Sequence, residues 1–397
     1  MEEKKKIYLD HAATTPLDER VLEAMIPYFT QSFGKANSIP AFGSDAALAV
    51  DTARRKIAEI LGAKPTEIYF TSGGTEADNW ALKGTAYAKK EKGNHIIVSG
   101  IEHAAMMASA GQLEKQGFEV TYLPVNAEAL VSPEDLKAAL RENTVLVSVM
   151  LANNEVGTVQ PVKELAKIAH AHGALFHTDA VQAVGSIPVS VKDLGVDLLS
   201  FSAHKFYGPK GIGALYIKSG VKPEKFIIGG HQERTMRGGT TNVPAVVGMA
   251  KALELAVQEL DKSAKYIASL RDRFVARVEK EIPYVHYNGD RVHRLPQNAN
   301  FSFEFIEGES LLLNLDLAGI ACSSGSACSS GSLDPSHVLL AMGIPHAVAH
   351  GSIRFTFGKH NTQQEVDYTV DKLKEIVEKL RAISPLFAEF KGGVHNV

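Results

Sequence analysis

The stretch Thr144-Val145-Leu146-Val147-Ser148-Val149-Met150 is an almost unbroken apolar run, too short for a helix and suited to a strand covered on both faces. Comparable runs stand at Glu67–Thr71, His95–Ser99, Glu119–Leu123, Ala174–Thr178 and Asp197–Ser202, most of them rich in Val, Ile, Leu or Phe. Helical patterns separate them. This alternation over Glu67–Ser202 predicts an α/β fold, with a mainly parallel central sheet flanked by helices. Functional residues in such sheets gather just beyond the C-terminal ends of the strands.

Outward from this block, Ala46–Leu61 carries Val50, Ala53, Ile57, Ile60 and Leu61 at helical spacing, with Gly62 as a stop. After Pro244 a long helical pattern runs to Glu281, and strands near Asn300–Phe305 and Ser352–Thr356 and helices around Ser310–Leu317 and Thr362–Arg381 follow. These later elements suit a smaller α+β unit. The expected division is a large domain over residues 15–257 and a small domain made of 1–14 and 258–397, with a loop over 321–333.

A chain of 397 residues, 45% hydrophobic, exceeds what one core usually holds. Its net charge of -3, with both signs mixed along the chain, gives no broad basic field, so a small-molecule substrate is expected rather than nucleic acid or a membrane. No apolar stretch approaches the ~18–20 residues that span a bilayer. The start Met1-Glu2-Glu3-Lys4-Lys5-Lys6 lacks the apolar core of a secretory signal, and a cytoplasmic protein is expected. Two cysteines, Cys322 and Cys328, are too few for a disulfide framework or a four-thiolate zinc site, and no resident metal is expected.

Several stretches carry chemistry. In Phe70-Thr71-Ser72-Gly73-Gly74-Thr75-Glu76 a strand ends in a Gly-rich turn before a helical pattern, an arrangement whose free N–H groups and Thr75 hydroxyl suit a phosphate. An ordinary strand-to-helix turn has the same composition. Asp179, in His177-Thr178-Asp179-Ala180-Val181-Gln182, ends an apolar strand and suits the protonated nitrogen of a pyridine cofactor, or else caps the following segment. Lys205, in Ser200-Phe201-Ser202-Ala203-His204-Lys205-Phe206-Tyr207-Gly208, follows another strand where loss of solvation lowers a lysine's pKa and favours an imine with an aldehyde cofactor. A phosphate turn, an Asp and a lysine in this chain order argue together for pyridoxal phosphate (PLP) more strongly than each does alone.

Ala321-Cys322-Ser323-Ser324-Gly325-Ser326-Ala327-Cys328-Ser329-Ser330-Gly331-Ser332 is a run of small residues that suits a thiol-bearing loop, or a plain Ser/Gly linker. Cys328 lies mid-loop, whereas Cys322 follows an apolar stretch and reads as a small buried hydrophobe. His103, after Glu102, suits stacking on a planar ring and proton transfer, or a core or capping role. Arg354, in the apolar run Ser352–Thr356, should meet a carboxylate of protein or substrate. Phe387 and Phe390 in the tail Ser384–Lys391 suit docking of an acceptor protein, or packing on the smaller unit.

With these residues in view the chain resembles the cysteine desulfurases of the NifS/IscS type, in the class V aminotransferase group of fold-type I PLP enzymes. The resemblance covers nearly the whole length. It rests on Tyr8-Leu9-Asp10-His11-Ala12-Ala13-Thr14-Thr15-Pro16, Thr71–Glu76, Asn153-Asn154-Glu155-Val156-Gly157, Ser202–Gly211 and Ser323–Ser329. It implies PLP bound through Lys205, with Asp179 on the pyridine nitrogen, Gln182 near the ring hydroxyl and His103 stacked on the ring. The turn at Gly74, with Thr75, Ser202 and His204, falls to the phosphate. Thr240 matches a threonine that reaches the partner subunit's phosphate, implying a homodimer. Asn154 and Arg354 match residues that hold the substrate carboxylate, the substrate being L-cysteine.

Cys328 matches the persulfide cysteine of the longer-loop group, which passes sulfur to iron–sulfur scaffold proteins or tRNA-thiolation enzymes. It is also a candidate transient ligand of an iron–sulfur cluster. The implied reaction gives L-alanine and a persulfide on Cys328, with His103 and Lys205 carrying protons, and its need for a thiolate implies lower activity at acid pH. The chain departs from the family at Gly34-Lys35-Ala36-Asn37-Ser38-Ile39-Pro40, where relatives read Gly-Asn-Pro-Ser-Ser-x-His beside the active-site entrance. It also departs, mildly, at Ala104-Ala105-Met106, where Val or Ile usually follows the histidine. Rival readings are a selenocysteine lyase or another enzyme of this fold, and a catalytically silent docking partner. A loop thiol argues against an aminotransferase, and Lys205, Asp179 and His103 together argue against a silent partner.

Overall fold

The apolar runs become strands because their side chains find cover on both faces. Strand β1 (Ile7–Tyr8) opens the chain, and β2 (Ile68–Thr71), β3 (His95–Ser99), β4 (Glu119–Leu123), β5 (Thr144–Ser148), β6 (Leu175–Asp179), β7 (Leu198–Ser202) and β8 (Gly213–Ile217) build a seven-stranded sheet. This is a computed structural model that describes residues 6–36, 41–324 and 335–391. The sheet order is β2-β8-β7-β6-β5-β3-β4. Strands β3 to β7 pair in parallel, while β8 runs antiparallel to both β7 and β2. The expected α/β fold with a mainly parallel sheet is therefore present.

Strand β8 lies beyond the alternating block Glu67–Ser202 and has no counterpart among its apolar runs. It returns beside β7 after one short connection, and that connection carries Lys205. Gly213 opens β8 where a Cβ would lie 2.7 Å from the backbone of Gly73 and 2.8 Å from the Phe201 carbonyl oxygen. Only glycine fits so close a crossing, and the crossing fixes the turn after β2 against the end of β7.

Helices Ala41–Leu61 and Val243–Gln258 pack together over one face, where Ile57, Leu61, Val246, Met249 and Leu253 are buried in the main core. The long helix expected to run to Glu281 breaks at Glu259, and a second helix spans Leu260–Glu281. The break falls where the buried stripe passes from Leu253 in the main core to Leu270 and Phe274 in another. That second core is aromatic: Phe274 lies 4.7 Å from Phe355, centroid to centroid, and is flanked by Phe301 and Phe357.

It sits on an antiparallel sheet of β9 (Val285–Asn288), β10 (Asn298–Phe303) and, after β11 (Ile320–Ala321), β12 (Ser352–Thr356). Strand β9 was not foreseen. The N-terminal segment straps the two cores together. Strand β1 pairs with β11, Ile7 and Leu9 are buried in the second core, and Thr15 N–H then donates to the His204 carbonyl at 2.9 Å beside the main sheet. The tail aromatics pack on this second unit, with Phe390 4.8 Å from Phe305 and 5.3 Å from Tyr284. Among the described residues no helix is long and apolar enough to cross a membrane.

A buried ion pair anchors the edge strand. Arg54 donates to both carboxylate oxygens of Glu233 at 2.8 Å and to the Ile68 carbonyl at 2.6 Å, while Glu233 accepts the Phe70 N–H at 2.9 Å. Removing one partner of such a pair strands the other charge. Arg54→Met is expected to lower unfolding free energy by about 3–5 kcal/mol, read by urea denaturation, and Arg54→Met with Glu233→Leu to recover part of that loss.

Candidate active site

The connection after β7 is tightly held. Residues Ala203–Lys205 form a single helical turn, the N–H groups of Phe206 and Gly208 both bond the Ala203 carbonyl, and a Cβ on Gly208 would lie 2.8 Å from Ala203. Tyr207 adopts a left-handed φ of 63°, uncommon for a bulky residue. Its N–H donates to Thr15 Oγ1 at 2.7 Å, and that hydroxyl donates to the His204 carbonyl at 2.9 Å. The strap thus holds the strained turn from the other side.

Lys205 points inward from this turn. Its Nζ donates to the carbonyl oxygens of Ala12 at 2.6 Å and Ala13 at 2.7 Å. Gln182 Nε2 donates to the same Ala12 oxygen at 2.9 Å. Asp179 is buried at the end of β6, and its Oδ1 accepts the Val181 N–H at 2.9 Å. Burial holds its carboxyl above the ordinary value, and His103, the Val181 N–H and Lys205 offset only part of that rise. His204 is neutral near pH 7, since burial, then Lys205 and Lys210, lower it to about 4; its Nδ1 meets Thr14 Oγ1 at 3.1 Å.

His103 caps the helix Ala104–Lys115, its Nδ1 accepting the Ala105 N–H at 3.1 Å. A neutral ring so bonded carries its proton on Nε2. The Gly-rich turn is shaped by contact: a Cβ on Gly74 would meet Val181 Cγ2 at 2.7 Å and Ser202 Cβ at 3.8 Å. Gly74 therefore lies against the segment after Asp179 and against buried Ser202, while Thr75 is exposed. Glu76 closes the turn by accepting the Ser72 N–H at 2.7 Å, and Arg237 grips the same carboxylate at 2.9 and 3.0 Å. Thr240, three residues beyond Arg237, is exposed, and no hydrogen bond joins it to the other candidates among the described residues.

Arg354 meets a protein carboxylate. Its Nη2 lies 2.9 Å from Asp10 Oδ1 and its Nη1 donates to the Asn154 carbonyl at 2.9 Å, while its buried Nε has no partner. The backbone of Arg354 also pairs with Ser323, at 2.6 and 3.2 Å, where the small-residue loop begins. Cys322 packs against the second core, and burial, followed by Asp10, pushes its thiol far up. Cys328 and the departure from the family at Asn37–Pro40 lie outside the described residues.

The geometry thus joins Lys205, Gln182, Asp179, Gly74, Ser202 and His204, with His103 close enough to act on Asp179, and it places Arg354 beside Asn154. Three buried carboxyls were missed: Asp78, Glu102 and Glu155. Glu155 takes a hydrogen bond from the Ser336 hydroxyl, and burial pushes it to about 7. Glu155 lies within a quoted motif and Glu102 directly precedes His103, but an acidic letter in a loop carries no sign of burial.

Residues 7–369 match the model of the aminotransferase class-V family. The chain belongs to that family. It is 56% identical, over 98% of its own length and 98% of the relative's, to the cysteine desulfurase IscS of Dictyoglomus turgidum. A solved NifS-like protein superposes with a TM-score of 0.90 at 42% identity, covering 95% of this chain and all of that one. SspA, solved in complex with cysteine, gives 0.80 at 35% identity, covering 90% and 100%. Within the family the chain belongs to the cysteine desulfurases.

A thiol held this far from its ordinary pKa reacts slowly. Cys322 is expected to resist iodoacetamide at pH 7.5 in the native chain and to be alkylated fully once unfolded, as peptide mass spectrometry would show.

Proposed function

We propose that this enzyme converts L-cysteine to L-alanine with PLP held by Lys205, passing the sulfur to the thiol of Cys328. The observation that carries the reading is the convergence of Lys205 and Gln182 on the Ala12 carbonyl, with Asp179 at the neighbouring strand end and the Gly74 turn against Ser202. The donor set fits the cofactor. An inward amine suits its aldehyde, a buried carboxyl suits its pyridine nitrogen, and the first N–H groups of the helix that opens at Gly74 suit its phosphate. When bound, PLP supplies the electron sink that eases loss of the substrate's α-proton.

The chain's own residues supply the rest. Lys205 would hold the cofactor's aldehyde through its Nζ, and the same amine, once free, would carry protons, helped by His103. Asn154 and Arg354 hold the substrate carboxylate, which requires Arg354 to share or exchange its contact with Asp10. Thr75, Ser202 and neutral His204 serve the phosphate. The Cys328 thiolate attacks the substrate sulfur; an S–S bond forms as the Cβ–S bond breaks, and the electron pair left on carbon takes a proton to give alanine. The enzyme keeps a persulfide for an acceptor such as an iron–sulfur scaffold protein.

A homodimer, in which Thr240 completes the partner's phosphate site, is supported by exposed apolar side chains grouped in one short segment: Leu22, Ile26, Phe29 and Phe33 are 45%, 49%, 58% and 65% exposed. The helix break at Glu259 supports a large domain of residues 15–257 and a small one of 1–14 and 258–397.

The test is release of sulfide and alanine from L-cysteine with a reductant present. Cys328→Ala should lower both by at least about 100-fold while keeping the cofactor's colour, and Cys322→Ala should stay within about twofold. Lys205→Ala should lose the visible band of the bound cofactor. Full activity in Cys328→Ala would show that the sulfur leaves by another route.

A further inference from the structure

Behind Asp179 lies a second buried carboxyl that the reaction as described does not use. Asp78, on the helix Gly74–Asn79, is 1% exposed, and its Oδ1 has no hydrogen-bond partner. Around it stand His177, Ser200 and Ser148, all fully buried, with His177 Nδ1 2.8 Å from Ser148 Oγ and its Nε2 2.9 Å from Ser200 Oγ. The His177 Nε2 is 3.8 Å from Asp78 Oδ1, and the Ser200 hydroxyl also faces Asp78. Glu102 adds a third carboxyl: its Oε1 accepts the Ser99 hydroxyl at 2.5 Å and the Met150 N–H at 2.7 Å, and its Oε2 is buried without a partner.

The charge balance is the clue. Among the described residues, the titratable groups facing Asp78 are Asp179 and His177 from β6 and Glu102 from the turn after β3. No charged side chain of β2, β8 or the helix Ala104–Lys115 figures among its charge partners. The amine of the site, Lys205, and the ring of His103 act on Asp179 instead. His177 supplies no charge, because burial lowers it to about 3. Carboxyls sharing a dry site without a cation cannot all ionise.

We propose that Asp78 stands as a neutral carboxylic acid behind Asp179, with Glu102 neutral beside it, so that the negative charge of the pocket floor rests on Asp179 alone. The inference rests on reading Asp179 as the partner of the cofactor's ring nitrogen. Its physical sense is direct: a single anion flanked by neutral acids would face the cofactor's ring nitrogen, and the proton on Asp78 gives the Ser200–His177–Ser148 chain a donor at its inner end. Burial raises Asp78 well above the ordinary carboxyl range and takes Glu102 to about 8.

A carboxyl that is neutral when folded and ionised when unfolded makes folding take up a proton, so its share of stability falls as pH rises from the unfolded value of about 4 to the folded one. An amide of the same shape has no such loss. In the holoenzyme, the melting midpoint of Asp78→Asn minus that of the native protein should rise with pH, by about 2–5 °C between pH 5 and pH 8. Glu102→Gln should gain likewise and level off above pH 8, which keeps the test open if Asp78→Asn does not fold.

In the holoenzyme, Asp78→Asn should keep the cofactor's visible band and its pH titration, whereas Asp179→Asn should shift them. A difference in melting midpoint that is flat or falls with pH for both amide variants would overturn the proposal. An unshifted band in Asp179→Asn would instead overturn the ring-nitrogen reading, leaving the melting result to stand by itself.

Discussion

One carbonyl oxygen, that of Ala12, organises this active site. It takes a hydrogen bond from Lys205 at 2.6 Å and another from Gln182 at 2.9 Å. The first comes from the connection between β7 and β8, the second from the segment after β6, and the carbonyl belongs to neither. It belongs to a strap whose first residues are buried in the second core. Two hydroxyl-mediated contacts through Thr15 then fix that strap to the turn carrying the lysine. The amine's position therefore depends on both cores being folded and in register, a strong reason for building the site from distant parts of the chain.

The same logic governs the rest of the pocket. The Gly-rich turn after β2 is placed by an edge strand that the Arg54–Glu233 pair clamps from outside, and by Gly213 of β8 from within. Glu76 then couples that turn to Arg237 and so to the arm bearing Thr240. Electrostatics is arranged in layers. Lys205 and His103 face Asp179 from the open side, while neutral His177, hydroxyls and buried carboxyls back it from inside the sheet. An anion is cheapest to keep where it meets a cation on one side and dipoles on the other.

Much of this was legible in the sequence, for physical reasons. Buried strands announce themselves as apolar runs, and six of the seven strands in the main sheet were located that way; β8 escaped because its five residues open with Gly213-Ala214 directly after a Gly- and Pro-bearing turn, which blurs the run. Lys205 and Asp179 were visible because each ends an apolar run. His103 was ambiguous for good cause, since its Nδ1 does cap a helix while the ring is close enough to act on Asp179. Asp78 and Glu102 could not be found: on a helix or in a loop an acidic residue looks solvated, and only the packed structure shows that water is excluded. The Ala12 carbonyl was invisible for a simpler reason. Backbone atoms carry no letter.

The central claim is that sulfur leaves L-cysteine by way of one particular thiol. A single turnover with L-cysteine in the absence of reductant, followed by peptide mass spectrometry, tests it most directly. The account predicts one added sulfur atom on the peptide holding Cys328 and none on the peptide holding Cys322. Sulfur found on Cys322, or free sulfide released in one turnover with both cysteines unmodified, would contradict it.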